Sequence, residues 1–212
     1  VSITFATPGF NGGTMPTDSQ PRFRVVGSDP APPGRLLRPI VLVGLMGAGK
    51  TAVGRRLAAT LGVAFADADE AIIEAAGMSI PDIFEVYGET AFRDLERRVV
   101  VRLLDEATGV LALGGGAFID PQTRAAVGQR GVSVWLKAEL ETLVARVIKK
   151  RAVRPLLMQG EPRTILAGLM ERRYPIYAEA DFTVLTGDQP LDEVVERLIE
   201  LLRREGLIRD VA

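Results

Sequence analysis

Gly44, Gly49, Lys50 and Thr51 stand in the order Gly-x-x-x-x-Gly-Lys-Thr, directly after the apolar run Ile40–Val43 and before a segment in which Val53, Leu57 and Leu61 recur every four residues. This is the pattern of a loop joining a strand to a helix, with glycines that let successive backbone N–H groups turn inward as an anion nest. In such a cradle Lys50 neutralises the β- and γ-phosphates of a nucleotide, and the Thr51 hydroxyl reaches a Mg²⁺ ion. The bland alternative is an ordinary Gly-rich turn, which requires neither the lysine nor the threonine in register.

Asp67 and Asp69 follow the second apolar run, which begins at Val63. In open α/β sheets the ligand crevice lies beyond the carboxyl ends of the strands, so one carboxylate can serve a metal shell and the other an acceptor hydroxyl. Equally, an Asp at a strand-to-helix junction caps the helix. Arg93 lies off the apolar stripe Phe92, Leu95 and Val99, and its plain reading is a surface residue pairing with Glu89 at helical spacing. The three glycines Gly114–Gly116 after "VLAL" read either as a tight turn or as backbone that must come close to a small ligand. The only asparagine is Asn11, upstream of the cradle, so the Asn-Lys-x-Asp segment with which switch GTPases read guanine is absent.

The elements that would position these residues are five short apolar runs, at 40–44, 63–67, 110–116, 132–137 and 181–186, alternating with helical patterns. The last helix carries Leu191, Val194, Val195, Leu198, Ile199 and Leu202 on one face. Alternating strands and helices with nearly all-apolar strands predict an α/β fold, a parallel sheet covered by helices on both faces. Residues 1–38 hold six prolines among scattered glycines and are expected to form a loose, disordered extension rather than a targeting segment. The domain is expected over 39–205, with 206–212 as a tail.

The chain has 212 residues, 47% of them hydrophobic, enough for one enzyme-sized core. A net charge of −1 gives no field to attract nucleic acid. Cysteine and histidine are both absent, which removes disulfides, thiol nucleophiles and imidazole acid–base chemistry. Chemistry must therefore use carboxylates, Lys, Arg, backbone amides or a metal. No apolar stretch approaches the ~20 residues that span a bilayer, so a soluble cytoplasmic protein with no membrane partner is expected.

In order along the chain, "GLMGAGKT", the "DAD" pair, "IFEVYGETAFRDLE", "LGGGAF", "RPLL" and "RRYPIY" resemble shikimate kinases, small P-loop proteins related to the nucleoside-monophosphate kinases. The resemblance spans about residues 38 to 204. It implies the three-layer P-loop kinase fold, with a five-stranded parallel sheet and a mobile lid at about 147–163. It implies transfer of the ATP γ-phosphoryl group to the 3-hydroxyl of shikimate, with Mg²⁺ as metal. Carried onto this chain, Gly47, Ala48, Gly49, Lys50, Thr51 and Ala52 hold the phosphates, and Thr51 ligates Mg²⁺ with Asp67 supporting it through water. Asp69, Arg93, Gly115, Gly116 and Arg173 contact shikimate, Arg154 of the lid faces the phosphates, and Gln189 belongs to the adenine loop. Lys50, Asp69 and Arg154 are the implied catalytic residues. The lid varies in length within the family, which leaves Arg146 only a candidate for the arginine stacked on adenine.

The residue chemistry suits that substrate: guanidinium forks for a carboxylate, a carboxylate for hydroxyls, and glycines against a small ring. The basic run Lys149–Arg163, punctuated by Gly and Pro, reads as a lid that excludes water, or as a solvated loop. A sibling small-molecule kinase such as gluconate kinase would share the cradle but need another acceptor pocket. A non-catalytic ligand-binding homologue would not need Lys50, Thr51 and Asp67 together. A monomer is expected, since the helices need their apolar faces for their own core.

Overall fold

The computed structural model describes residues 35–106, 109–149 and 160–209. At its centre is β2 (Ile40–Val43), four consecutive apolar residues no more than 1% exposed, as a strand covered on both faces requires. Around it β3 (Phe65–Asp67), β4 (Val110–Ala112), β5 (Val132–Ala138) and β6 (Phe182–Thr186) form a five-stranded parallel sheet in the order β3-β4-β2-β5-β6. Four of the five strands fall within the apolar runs read from the sequence, and β5 exceeds its run only by Ala138. The expected parallel sheet is therefore present, and its central strand is the one that enters the glycine cradle.

Right-handed crossovers dictate where the helices go. The chain leaves β2 for β3 in one direction through α1 (Lys50–Leu61), then moves the other way across the sheet for every later strand. α1 thus falls on one face. α2 (Ala68–Ala76), α3 (Ile80–Glu106), α4 (Pro121–Arg130), α5 (Leu140–Ile148) and α6 (Pro162–Tyr177) fall on the other. α7 (Leu191–Arg204) follows the last sheet strand and returns to pack on α1 and β6. Val53, Leu57 and Leu61 of α1 and Val194, Val195, Leu198, Ile199 and Leu202 of α7 are buried; Leu191, in the first turn, is the exception to the stripe at 38% exposure.

Regular structure extends past the expected bounds of the domain and into those of the lid. β1 (Arg35–Leu36) pairs antiparallel with β7 (Ile208–Arg209), so residues from both segments placed outside the domain join in a ribbon. The Leu37 N–H also donates to the Leu207 carbonyl, at 3.1 Å. The expected lid at 147–163 also overlaps two helices: α5 continues to Ile148 with Val147 buried, and α6 starts at Pro162, capped by the Glu161 carboxylate. Residues 150–159, including Arg154, lie outside the described residues.

α3 is interrupted at Gly88, whose φ of 77° and ψ of 173° are not helical. A Cβ there would meet nothing within 4 Å, so conformation rather than space demands glycine. Gly88→Ala is expected to lower unfolding stability by about 1–3 kcal/mol through backbone strain, read as a shift in the urea midpoint at constant slope. An unchanged midpoint would show that the break relaxes without cost.

Candidate active site

The cradle begins where β2 ends. Gly44 adopts φ +138°, and a Cβ on it would lie 2.7 Å from the Leu136 carbonyl oxygen, so both conformation and space exclude a side chain. Gly49 occupies the N-cap of α1 with φ 98° and offers no side-chain acceptor, which leaves the first-turn amides to an anion. Lys50 Nζ arches back over the loop, donating to the carbonyls of Gly44 (2.7 Å) and Leu45 (3.1 Å). Ala48 is buried, while Thr51 and Ala52 face outward.

The rear of the loop is tied to two other elements. Arg146 of α5 donates to the carbonyls of Gly47 (3.2 Å) and Ala48 (3.4 Å), and through its other amino group to Gly187. The Thr186 hydroxyl also donates to the Ala48 carbonyl, at 3.2 Å. Gln189 sits in the same β6–α7 turn, where its amide donates to the Leu185 carbonyl at 3.0 Å. The adenine-loop candidate and Arg146 are thus on one side of the cradle, linked through the turn.

At the end of β3, Asp67 does two things at once. One oxygen accepts the Asp69 N–H (3.0 Å) as the N-cap of α2, and the other accepts the Thr51 hydroxyl at 2.7 Å. The capping role and the metal-shell role proposed from sequence are therefore compatible in one carboxylate. Among the described residues no group of three or more acidic side chains could cage a metal. A Thr hydroxyl beside one carboxylate suits Mg²⁺, which keeps several waters and takes phosphate oxygens as further ligands.

Beyond β4 the three glycines make room for charged side chains. A Cβ on Gly114 would come within 2.6 Å of Asp69 Oδ1 and 3.0 Å of Glu96 Oε1. One on Gly116 would come within 2.6 Å of Arg93 Nη1, and one on Gly115 would approach Arg173 Nη1 at 3.9 Å. Arg173 of α6 donates to the Gly115 carbonyl at 2.8 Å. Asp69, Arg93, Gly115, Gly116 and Arg173 are brought together beside the cradle: a Cβ on Gly115 would also lie 3.5 Å from the Met46 N–H.

Arg93 does pair with Glu89, at 3.2 Å, but its closer partner is Glu96, at 2.7 Å, and its guanidinium lies 5.1 Å from the Phe92 ring centre. Burial alone would lower the Arg93 pKa; hydrogen bonds and charge attraction from Glu96 and Glu89 outweigh it and hold it above its ordinary value. Glu96 is 3% exposed. Its burial pushes the carboxyl above the usual glutamate range, Arg93 opposes this, Asp69 adds to it, and Arg173 opposes it again.

Glu96 was not singled out from the sequence, although a signal existed. Phe92, Leu95, Glu96 and Val99 share one helical face, and a carboxylate on an apolar stripe must find a cation there. Its raised pKa has a defined effect on stability. Between the ordinary glutamate pKa and the folded value the native state holds the extra proton, so this group's contribution falls as pH rises through that window. The stability of the parent minus that of Glu96→Gln, from urea midpoints, is expected to decline across that window and be flat outside it. A rising difference would reverse the assigned direction.

The shikimate kinase family model matches residues 46–203. A shikimate kinase of Paramagnetospirillum magneticum is 56% identical over 167 residues, covering 79% of this chain and 85% of that protein. One of Mesorhizobium japonicum is 49% identical over 180 residues, covering 84% and 88%. Among solved structures, a shikimate kinase of Acinetobacter baumannii in complex with shikimate superposes with a TM-score of 0.77 at 38% identity, covering 81% of this chain and 96% of that one. A glycine cradle at the end of the central strand, facing a cluster of carboxylates and guanidinium groups, thus coincides with likeness along most of the chain: it belongs to the shikimate kinase family.

Proposed function

We propose that the chain transfers the γ-phosphoryl group of ATP to the 3-hydroxyl of shikimate, giving shikimate 3-phosphate and ADP. The observation that carries this is the meeting of Asp69, Arg93, Glu96 and Arg173 at three glycines whose missing side chains leave space for them, next to the phosphate cradle. Arg93 and Arg173 take the substrate carboxylate as guanidinium forks, and the Gly115–Gly116 backbone lies against the ring. Asp69 orients the acceptor hydroxyl and accepts its proton as the oxygen bonds to the γ-phosphorus and the bond to the bridging oxygen breaks.

Catalysis of such a loose transition state rests on alignment and on neutralising the equatorial oxygens. The cradle amides, with Gly47–Ala52 around the phosphates, and the Lys50 ammonium supply that charge. Thr51 and Asp67 would hold Mg²⁺, which when bound neutralises phosphate oxygens. Gln189 lines the adenine side. Arg154, outside the described residues, is the arginine that the family resemblance assigns to the phosphates; Arg154→Ala is expected to lower kcat by about 10²-fold or more while the melting temperature stays within a few degrees. Equal turnover would remove Arg154 from the chemistry.

ADP release by the purified chain with Mg-ATP and shikimate, gluconate or no acceptor tests the reading directly. Release is expected with shikimate alone. Release with gluconate would make it a sibling kinase; no release with any acceptor would leave only a ligand-binding homologue.

A further inference from the structure

We propose that Tyr177 is a positioning residue for acceptor binding: its phenol and the Arg173 guanidinium together fix the Gly115 carbonyl, and so aim the Gly115–Gly116 peptide at the substrate. This rests on the shikimate site described above. Arg173 and Tyr177 lie four residues apart at the end of α6, on one helical face. Both donate to the same acceptor, the Gly115 carbonyl oxygen.

A peptide unit is planar and trans, so its carbonyl and the N–H that follows point in opposite directions. Holding the Gly115 carbonyl toward α6 therefore turns the Gly116 N–H away from it. On the Gly116 side stands Arg93, whose Nη1 would be 2.6 Å from a Cβ at that position. With glycine on both sides, little in the backbone itself resists a flip of this peptide. The two donors from α6 supply the restraint that side chains would otherwise give.

The phenol is well suited to this. Tyr177 is 1% exposed, and burial, opposed by Arg173, pushes its pKa up to about 12, so it keeps its proton at any working pH. Its ring packs against Trp135 and Tyr174 at 6.0 and 6.3 Å between centres, contacts that phenylalanine would keep. Tyr177→Phe thus keeps the packing and removes one oxygen, which serves the Gly115 carbonyl and also bonds the Arg173 guanidinium.

That variant is expected to raise the KM for shikimate about tenfold, the cost of one buried hydrogen bond left unmade, with kcat and the KM for ATP nearly unchanged. Tyr174→Phe is the matched control: it removes a phenol donating to Ala138 from the same helix, so it should lower the melting temperature similarly and leave the shikimate KM alone. A shikimate KM for Tyr177→Phe equal to that of an active parent overturns this inference and leaves the function standing. A parent inactive with shikimate removes the function itself. A crystal structure of the unaltered protein with shikimate gives a second test, independent of any variant: Tyr177 and Arg173 should both remain on the Gly115 carbonyl, and a flipped Gly115–Gly116 peptide overturns the inference.

Discussion

Lys50→Met is expected to lower kcat about 10³-fold while shikimate still binds with parental affinity. Lys50 holds a single positive charge at the mouth of the cradle by bonds to the Gly44 and Leu45 carbonyls, and methionine keeps the length of the chain without the charge. The loop amides and helix N-terminus would remain to hold the nucleotide. The charge spread over the transferring group in the transition state would lose its nearest side-chain cation. Steady-state turnover, with calorimetry for shikimate, separates the two effects. A kcat within tenfold of the parent would mean that the lysine serves only to shape the loop.

Asp69→Asn has the second largest expected effect, a fall in kcat of about 10²- to 10⁴-fold with a much smaller change in shikimate affinity. The substitution preserves size, and the helix cap is undisturbed because Asp69 contributes to it through its backbone N–H. What it removes is the proposed proton acceptor. It also removes the like charge that helps hold the Glu96 pKa up, so the pH window in which the difference between the parent and Glu96→Gln declines should narrow from its upper edge in an Asp69→Asn background. Normal turnover by Asp69→Asn would remove Asp69 from the chemistry, whatever became of Glu96.

The sheet was legible in the sequence because its inner strands β2, β4 and β5 are buried on both faces and read as apolar runs between turn signals, while the edge strand β6 leaves Thr183 and Leu185 exposed. The cradle was legible because phosphate binding needs glycine, lysine and threonine at fixed offsets within one loop. The β1–β7 ribbon was not, since strands of two residues, one on each flank of the domain, carry no periodicity. The basic run from Lys149 does mark the end of α5 at Ile148, while the lid bound at about 147, carried over from the resemblance, falls on the buried Val147 of that helix. Within the site, Asp67 gave two readings; the structure shows the cap on one oxygen and the Thr51 hydroxyl on the other, an arrangement in which the cap does not consume the whole carboxylate. The partnership of Tyr177 with Gly115 bridges 62 positions, and no local spacing announces such a contact. Arg93 shows the limit most clearly: its i−4 partner Glu89 was readable, but its closer bond to Glu96 matters because Glu96 is buried, and burial is a property of the folded chain.

The most direct test follows the phosphorus. The chain is incubated with Mg-ATP and shikimate, and the products are resolved by phosphorus NMR with proton coupling. A new phosphate-ester signal coupled to the ring proton on the carbon that bears the 3-hydroxyl, growing in step with ADP and missing for Lys50→Met, is the expected result. ADP accompanied only by inorganic phosphate, or an ester at another ring position, would contradict the account.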